Sequence, residues 1–415
     1  MKDLHNGSFY WPTTLANVRE YAALRENVTV RAAVVGGGMA GALMGHALAS
    51  NGIDAVLVER GRVAGGSTSA NTGLLQFSND IMLVDLIAQI GEGPAVRFHL
   101  ACREAVRDLA SMAAGTGKDV EYFNRSSLYY ASTEQDLPKL KREYEALAKH
   151  GFDVEWWGPD QIEARFPFRK AGAIVTHGDG EINPFRFVHA VMDAAADKGL
   201  RVFEHTSVAK HETLPCGKHL LRTEAGHMIE ADHVVYAVGY EPEQLRGGLV
   251  KPKMNRSFAI VTEPMHASAI WHERWLIWET ARPYLYLRTS ADGRIVAGGL
   301  DESAVAPYDS PAAISKQTGR LYEQVQAMFG PDTPCAAYEW NALFAESRDN
   351  LPFIGEDPER KGVYYLLGYG GNGDVYCMLG SGLLLSLIRG EPHPVADILR
   401  LDRPTLVHAQ PAVLG

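Results

Sequence analysis

The sequence contains little cysteine, and its four cysteines are far apart. Cys102, Cys216, Cys335 and Cys377 form no CxxC pair and show no spacing typical of metal ligands. The pattern predicts neither a disulfide framework nor a bound metal. It is typical of a protein in a reducing compartment.

Long apolar runs are also absent. The longest, residues 376–388, contains two glycines and two serines among its 13 residues, which makes it too short and too polar for a membrane span. The amino-terminal sequence MKDLHNGSFYW lacks the apolar core of a signal peptide. We therefore expect a cytoplasmic protein without a transmembrane segment.

Basic residues are fewer than acidic ones. The 415 residues include 40 Lys and Arg against 50 Asp and Glu, so the formal net charge is -10, and the basic residues are scattered. This balance argues against nucleic acid as a partner, because phosphate backbones are bound by clustered basic side chains. With 46% hydrophobic and 22% charged residues, the composition is that of a globular chain of two or three compact units.

A strand–helix–strand unit is the first positive signal. The run TVRAAVV, from Thr29, ends in glycines and predicts a buried strand. Gly41, Gly45 and Leu48 follow at helical spacing, so we expect the next helix to pack closely on a sheet. A second apolar run ends at Glu59 and completes the unit.

Gly36, Gly38 and Gly41 form a GxGxxG motif at the corner between that strand and helix. In such a corner the first glycine makes the turn, the second admits a pyrophosphate, and the third packs the helix on the strand. The helix amino terminus favours phosphate. Glu59, 18 residues after Gly41, can accept both hydroxyls of a ribose. The combination predicts a dinucleotide site rather than a structural glycine turn. The other residues of this predicted corner are Met39 and Ala40.

Two glycine-rich segments favour flavin over nicotinamide as the ligand. The loop 65–73 has almost no bulky side chain, so its backbone can lie against a large planar ligand; a flexible surface loop is the alternative. Gly368, Gly370, Gly371 and Gly373 precede a helix whose amino terminus could face negative charge on a reduced flavin; a tight turn is the alternative. A nicotinamide-dependent reductase would require the second segment to be unrelated to the cofactor.

The remaining pattern predicts two interleaved domains. Residues 256–262, 276–279, 284–289 and 294–297 alternate as antiparallel strands do, with a tight hairpin at Asp292-Gly293. Strands and helices alternate before and after this block. The predicted ranges are 28–78, 158–245 and 340–395 for a nucleotide domain, 79–157 and 246–339 for a substrate domain, and 1–27 for an amino-terminal extension.

Five segments occur in an order that characterises one family. They are VVGGGMAGALMGHALASNGIDAVLVER, GGSTSANTGLLQ, GDGEINPFRFVHAVMDAAADKGL, VVYAVG, and LPFIG followed by GYGGNGDVYCMLGSGLL. Together they resemble the D-amino acid oxidase-like (DAO) superfamily of FAD-dependent oxidoreductases, which includes glycine oxidase, sarcosine oxidase and γ-glutamylputrescine oxidase. The resemblance implies a glutathione-reductase-like, Rossmann-type α/β FAD-binding domain interleaved with an α+β substrate domain built on an antiparallel sheet. It also implies oxidation of a C–N bond in an amine or amino acid by hydride transfer to flavin N5, giving an imine.

The resemblance further implies which residues bind FAD and that FAD is held non-covalently. Those expected at the pyrophosphate and adenosine are Gly36, Gly38, Gly41, Glu59, Arg60 and Val208. Those expected along the diphosphate and flavin are Ser67, Thr68, Asn71, Thr72 and Gly73. Ala237 and Gly239, in the segment VVYAVG, are also expected to bind the cofactor. Those expected at the flavin ring are Gly370, Gly371, Asn372, Gly373 and Asp374. Covalent attachment is not expected, because neither Cys335 nor Cys377 stands where the sarcosine oxidase branch attaches its flavin.

The sequence departs from the family pattern at the substrate carboxylate. Members that oxidise amino acids have an arginine on a tryptophan-led strand where this chain has Phe344, which favours an amine over an α-amino acid. Arg282 and Arg288 flank the strand PYLYL and could replace that arginine; exposed strand-end arginines are the alternative. Asp374 stands where the family usually has an apolar residue, and it could bind an ammonium, cap the helix or face solvent.

The antiparallel block supplies the candidate substrate-contacting residues. Alternation points Tyr284, Tyr286 and Arg288 to one face, and Trp278 and Glu279 come from a neighbouring strand. An aromatic wall suits an amine cation or an apolar chain, and Glu279 could pair with an ammonium. Packing between sheets is the alternative role for the aromatic residues.

Other functions remain open at this point. An FAD-dependent 2-hydroxy acid or polyol-phosphate dehydrogenase would need basic residues that converge on the flavin. A flavin-binding subunit of a larger oxidase complex would need partner proteins. The expected partners are a small amine or amino acid and either oxygen or another electron acceptor, and a homo-oligomer is compatible with the sequence.

Overall fold

The computed structural model describes residues 4–240, 252–303, 310–368 and 370–408, which form two sheets packed with helices. The strands are β1 (His5–Gly7), β2 (Val28–Val35), β3 (Ala55–Val58), β4 (Leu74–Leu75), β5 (Phe123–Tyr130), β6 (Val154–Trp157), β7 (Ala173–Glu181), β8 (Arg201–Phe203), β9 (Val208–Thr213), β10 (His219–Thr223), β11 (Met228–Tyr236), β12 (Lys253–Thr262), β13 (Leu276–Glu279), β14 (Tyr286–Thr289), β15 (Ile295–Ser303), β16 (Ala336–Glu346), β17 (Phe353–Glu356) and β18 (Val363–Leu367). The α-helices of these ranges are α1 (Met39–Ser50), α2 (Leu83–Ile90), α3 (Glu92–Gly115), α4 (Leu137–Lys149), α5 (Pro159–Glu163), α6 (Pro184–Asp197), α7 (Pro311–Phe329), α8 (Gly373–Arg389) and α9 (Thr405–His408).

The first sheet has eight strands in the order β17-β18-β11-β2-β3-β8, with β10 paired to β11 and β9. The five strands from β18 to β8 are parallel. Strand β2 is buried on both faces, since Ala32 and Val34 face one core while Ala33 and Val35 face another. A strand that is covered on both sides has a continuous apolar sequence, as the run TVRAAVV predicted.

Helix α1 packs against α6 and α8 on one side of this sheet. It approaches the strands closely because a Cβ at Gly41 would overlap the carbonyl oxygen of Gly36. At the start of α6, the side chain of Asn183 accepts a hydrogen bond from the backbone nitrogen of Arg186 at 3.2 Å. These contacts place the amino termini of α1 and α8 at the same end of the sheet, where β2 and β18 end.

The second sheet has ten strands in the order β1-β16-β12-β15-β14-β13-β5-β7-β4, with β6 paired to β7. All of its pairs are antiparallel except β13 with β5. The predicted hairpin at Asp292-Gly293 joins β14 to β15. One face of this sheet shares a core with the first sheet, and α7 covers the other face, where Leu321 and Val325 pack with Leu287.

Sheet membership differs from the predicted domain ranges. Those ranges grouped β4, β7 and most of β16 with the nucleotide domain, whereas all three strands pair within the second sheet. A local pattern indicates that a segment is a strand, but its pairing partner is distant in the chain. The segment 202–208 contains parts of two strands, because β8 ends at Phe203 and β9 begins at Val208 beside β10.

The amino-terminal residues belong to the fold, contrary to the prediction of an extension. Strand β1 pairs with β16, and Trp11 and Leu24 are 0% and 3% exposed. The segment has no periodicity, because single side chains that fill gaps between other elements need none. Its sequence pattern is therefore uninformative, although its packing is extensive.

Two kinds of feature are absent from the ranges that the structure describes. No helix there is long and apolar enough to cross a bilayer. No group of three or more His, Cys, Asp or Glu side chains there is arranged to hold a metal ion.

Candidate functional site

A cavity of about 560 Å³ lies between the two sheets and runs from the GxGxxG corner to the second sheet. The predicted site residues that line it are Gly36, Gly38, Met39, Ala40, Glu59, Arg60, Ser67, Thr68, Asn71, Thr72, Val208, Ala237, Gly239, Tyr284, Tyr286, Phe344, Gly370, Gly371, Asn372, Gly373 and Asp374. The predicted site residues that do not line it are Gly41, Gly73, Glu279 and Arg288.

The glycine corner forms one end of the cavity. Gly36 has a φ of +113°, and a Cβ there would overlap the carbonyl oxygen of Ala237. Helix α1 begins at Met39, and its cap residue Gly38 offers no side-chain cap, so first-turn N–H groups beyond that of Met39 are available where Gly38, Met39 and Ala40 line the cavity. They can bind a phosphate, and the helix dipole adds to that preference. Gly41 contributes by allowing α1 to pack on β2.

Glu59 presents its carboxylate to the same end of the cavity. Oε2 accepts a hydrogen bond from the backbone nitrogen of Gly37, and Oε1 accepts one from that of Gly61, both at 2.7 Å. These two bonds fix the carboxylate at the end of β3. Each oxygen has a second lone pair for another donor, such as a ribose hydroxyl.

The loop 65–73 is held in place rather than flexible at the surface. Trp11 Nε1 donates a hydrogen bond to the Asn71 carbonyl oxygen at 2.5 Å, and Trp340 Nε1 donates one to the Ala70 carbonyl oxygen at 2.9 Å. Thr68 Oγ1 accepts a hydrogen bond from the backbone nitrogen of Met39 at 3.3 Å. The loop therefore lies against the start of α1, and most of its residues line the cavity.

The second glycine segment forms the opposite wall. The backbone nitrogen of Gly371 donates a hydrogen bond to Asp80 Oδ2 at 2.5 Å, and a Cβ at Gly371 would lie 2.6 Å from Tyr284 Oη. Asn372 Nδ2 donates to the carbonyl oxygen of Gln76 at 2.9 Å and to Asn79 Oδ1 at 3.1 Å. A side chain at Gly371 would displace the Asp80 carboxylate and the Tyr284 hydroxyl, which both meet the backbone there.

Asp374 is buried in the cavity wall and does not cap α8. The helix begins at Gly373, and its cap residue Asn372 makes no side-chain capping bond. Asp374 is 5% exposed, and its Oδ1 accepts a hydrogen bond from Asn71 Nδ2 at 2.8 Å. Burial raises the pKa of the Asp374 carboxyl to about 7, although the Asn71 hydrogen bond lowers it.

Aromatic side chains form the cavity wall on the second sheet. Trp278, Tyr284, Tyr286 and Phe344 all line it. The Trp278 ring stacks on Tyr129, with ring centroids 3.7 Å apart. The alternation predicted along PYLYL is correct, because the intervening leucines pack in the core on the other face. Trp278 and Tyr286 also pack in the core shared by the two sheets, so these two rings are both cavity wall and inter-sheet packing.

Two of the predicted pocket residues are not in the pocket. Glu279 lies on the face of β13 opposite Trp278, where its Oε2 accepts a hydrogen bond from Ser132 Oγ at 2.8 Å. Arg288 is 2% exposed, so the exposed strand-end alternative is also wrong. Its guanidinium donates to the carbonyl oxygens of Thr72 at 2.6 Å and Ile182 at 2.7 Å.

Arg282 lies at the rim of the aromatic wall. It is exposed, and its guanidinium lies 4.7 Å from the centroid of the Tyr284 ring. It donates a hydrogen bond to the carbonyl oxygen of Asp80 at 3.2 Å. Among the lining residues that the structure describes, the basic ones are Arg60 and Arg62, at the dinucleotide end.

Two acidic lining residues were missed by the sequence analysis. Asp80 lies beside the glycine segment, and Tyr284 Oη donates a hydrogen bond to its Oδ1 at 3.2 Å. Asp301 is near the end of β15, and burial together with the charge of Asp80 raises the pKa of its carboxyl to about 6. Neither belongs to a motif, and their convergence depends on the pairing of distant strands.

The cavity fits FAD. The uncapped start of α1 and the fixed Glu59 carboxylate suit the pyrophosphate and ribose, and two glycine-rich walls leave room for a flat ring system. Asp374 Oδ2 is buried in this wall and has no hydrogen-bond partner among the described residues. A buried polar atom of this kind is expected where a cofactor supplies the missing partner.

Comparison with known proteins gives the same assignment. The family model DAO, described as FAD dependent oxidoreductase, matches residues 31–386. Glycine oxidase of Geobacillus kaustophilus is 26% identical over 367 residues, which cover 85% of this chain and 91% of that protein. Gamma-glutamylputrescine oxidoreductase of Escherichia coli is 24% identical over 401 residues, covering 93% and 90% of the two chains. The crystal structure of the Geobacillus kaustophilus glycine oxidase matches the fold with a TM-score of 0.76 at 22% identity, over 90% of this chain and 99% of that one. The chain therefore belongs to the DAO family of FAD-dependent oxidoreductases, and FAD is its cofactor.

Proposed function

We propose that this enzyme oxidises a small amine at the C–H bond next to nitrogen and gives an imine. Bound FAD would supply the two-electron acceptor for this hydride. The substrate ammonium would first lose an N–H proton to a cavity carboxylate or to water, because only the neutral amine can lose a hydride. The observation that carries the proposal is the composition of the cavity wall on the second sheet. That wall contains four aromatic rings and the Asp301 carboxylate, Asp80 is hydrogen-bonded to its Tyr284, and none of these residues is basic.

The missing basic residue argues against an α-amino acid or 2-hydroxy acid. Such substrates carry a carboxylate, which needs a cation or several N–H donors once it leaves water. Phe344 occupies the place where the family resemblance implies an arginine, and Arg288 donates to two main-chain carbonyl oxygens instead. The relatives include both an amino acid oxidase and an oxidoreductase of an amine, so their names alone do not decide between the classes.

The carboxylates support a cationic substrate. An amine reaches the enzyme as an ammonium ion, which aromatic faces and carboxylates both attract. Asp301 Oδ1 has no hydrogen-bond partner among the described residues, and Asp80 lines the same cavity next to Tyr284. The guanidinium of Arg282 at the rim offsets part of this negative charge.

We also propose that the two sheets belong to separate domains, one that binds FAD and one that binds the substrate. The parallel sheet with α1, α6 and α8 forms the glutathione-reductase-like FAD domain, and the second sheet with α7 forms the substrate domain. The assignment is supported by the position of the glycine corner on the first sheet and of the aromatic wall on the second.

FAD is proposed to bind non-covalently. Cys377 lines the cavity, but burial raises the pKa of its thiol, so the thiol stays neutral and is a poor nucleophile. Cys335 is exposed and does not line the cavity. Denaturation and filtration are therefore expected to release all of the flavin.

The proposed function is tested by the visible spectrum of the purified holoenzyme under anaerobic conditions. Primary amines, secondary amines, α-amino acids and 2-hydroxy acids are added singly, and bleaching of the flavin band reports reduction. We expect amines to bleach the flavin much faster than their α-carboxylated analogues.

Bleaching by α-amino acids or 2-hydroxy acids at rates equal to those of amines would overturn the amine assignment. A flavin that no compound in the four classes bleaches would favour a flavin-binding subunit that needs a partner protein. Neither result would contradict the assignment of the cavity to FAD.

A further inference from the structure

Asp374 presents one carboxylate oxygen that the described structure does not satisfy. Its side chain lies in the first turn of α8, is 5% exposed, and lines the FAD cavity. Oδ1 accepts a hydrogen bond from Asn71 Nδ2 at 2.8 Å, whereas Oδ2 has no partner among the described residues. A buried carboxylate oxygen without a partner has lost its hydration, and no hydrogen bond compensates for that free-energy cost.

The orientation of Asn71 decides which oxygen of Asp374 can carry a proton. Asn71 Oδ1 accepts a hydrogen bond from the backbone nitrogen of Gly73 at 2.6 Å, so its amide nitrogen faces Asp374. An amide nitrogen only donates, and Asp374 Oδ1 must therefore accept. A proton on Asp374 thus sits at Oδ2, the oxygen without a protein partner.

The surroundings of Asp374 have opposing effects on its protonation. The guanidinium of Arg288 and the amino terminus of α8 favour the carboxylate form. Tyr240 and Cys377 also face it, but burial raises the pKa of both groups, so they stay neutral. Burial of Asp374 itself favours the neutral form and outweighs the cation, which leaves its pKa close to neutrality.

We propose that Asp374 binds FAD as a neutral acid and donates a hydrogen bond from Oδ2 to an oxygen or nitrogen acceptor of the cofactor. The proposal rests on the placement of FAD in this cavity and goes beyond it, because it couples FAD binding to one proton. FAD supplies an acceptor that Oδ2 lacks among the described residues, so the bound state favours the protonated acid more strongly than the free protein does.

The sign of the pH dependence follows from this coupling. Below the pKa of Asp374 in the free protein the proton is already present, and FAD binds most tightly. Above that pKa, Asp374 must take up a proton from solvent each time FAD binds. The affinity for FAD therefore falls by up to about tenfold per pH unit, until the pH reaches the higher pKa that Asp374 has in the complex.

The test is the rate at which FAD leaves the holoenzyme after dilution, measured between pH 6 and pH 9 from the fluorescence of free FAD. We expect release from the wild type to accelerate at least about tenfold over this range. Asp374→Asn keeps an acceptor for Asn71 and donates toward FAD at every pH, so its release should be slow and flat. Asp374→Leu removes both bonds, so its release should be fast and flat.

Asp301→Asn is the matched control, because Asp301 lines the same cavity and has a raised pKa but lies on the second sheet. It should keep the pH dependence of the wild type. A second measurement uses the wild type alone: FAD release at pH 8 in weak buffer should set free up to one proton per FAD, detected with an indicator dye.

The proposal is overturned by any of three results. They are a flat wild-type profile, a wild-type slope that persists in Asp374→Asn, and FAD release without a proton. None of these readouts uses an amine, so a wrong substrate assignment and a wrong role for Asp374 are distinguishable.

Discussion

The indole N–H of Trp11 donates a hydrogen bond to the main-chain oxygen of Asn71, 60 residues further along the chain. Trp340, in the second sheet, donates in the same way to the oxygen of Ala70. Two distant segments thus hold adjacent carbonyl groups of the cofactor loop, and the Asn71 side chain contacts Asp374 in turn. The position of that loop therefore depends on the amino-terminal segment, which the sequence analysis treated as an extension.

Trp11→Phe is expected to weaken FAD binding about three- to tenfold. The variant keeps an aromatic ring beside Arg288 but loses one buried hydrogen bond, worth roughly 0.5–1.5 kcal/mol. Titration of FAD into the apoprotein measures the change. The control is Trp271→Phe, because Trp271 Nε1 bonds to Trp275 on the far side of the second sheet. Equal losses of FAD affinity in both variants would contradict the role of Trp11.

Glu59→Ala is expected to weaken FAD binding about tenfold or more. The carboxylate is fixed by Gly37 and Gly61, and charge-assisted bonds to a ribose contribute roughly 1.5–3 kcal/mol. Comparison of FAD with FMN provides the control, because FMN has no adenosine ribose. Affinity for FMN should be unchanged, and a parallel loss for both flavins would mean that the substitution only disrupts the corner.

Arg288→Met is expected to lower the free energy of unfolding by about 3–5 kcal/mol. It removes a buried cation that binds the carbonyl oxygens of Thr72 and Ile182 and lies 3.9 Å from a Glu181 oxygen, so it leaves several buried acceptors unpaired. Urea unfolding of the holoenzyme measures the loss. The exposed Arg282 is the control, and Arg282→Met should lower the free energy of unfolding by only about 1 kcal/mol or less, because it loses one exposed hydrogen bond and one cation–π contact. Similar losses in both variants would contradict this account.

The features that were predicted correctly are those fixed by interactions between residues close together in the chain. The strand–helix–strand corner, Glu59 at the end of β3, the hairpin at Asp292-Gly293 and the glycines before α8 all have short-range reasons for their residue types. Glycine spacing, turn preference and apolar runs act over a few residues. The structure places each of these features where the pattern indicated.

What the sequence did not predict depends on contacts between distant segments. Alternation correctly put Arg288 on the same face as Tyr286, but it could not show that the loop before β4 covers the guanidinium. Asp80 and Asp301 converge only because their segments meet across the cavity. Spacing likewise gave no sign that Asn71 would meet Asp374, 303 residues away.

Phe344→Arg is expected to favour an α-amino acid over the matching amine. The kcat/KM for the amino acid, divided by the kcat/KM for the amine, should rise by about tenfold or more. The new guanidinium would enter the cavity and could bind a substrate carboxylate by a charge-assisted bond worth roughly 1.5–3 kcal/mol. Steady-state kinetics on the two substrates measure the ratio. Phe344→Leu is the control and should leave the ratio unchanged; an unchanged ratio in Phe344→Arg would remove this position from the argument for an amine.

Protonation of the Asp301 carboxyl is expected to make amine binding depend on pH. Burial raises the pKa of its carboxyl to about 6, so the side chain is negative above that pH and neutral below it. The ammonium form of the substrate persists across this range, and the attraction is therefore lost as pH falls through 6. We expect KM for the amine to rise several-fold between pH 7 and pH 5 in the wild type. Asp301→Asn should have a high KM that does not vary with pH, whereas Glu302→Gln, next to Asp301 but outside the cavity wall, should behave as the wild type. A wild-type pH profile that persists in Asp301→Asn would assign the titration to another group.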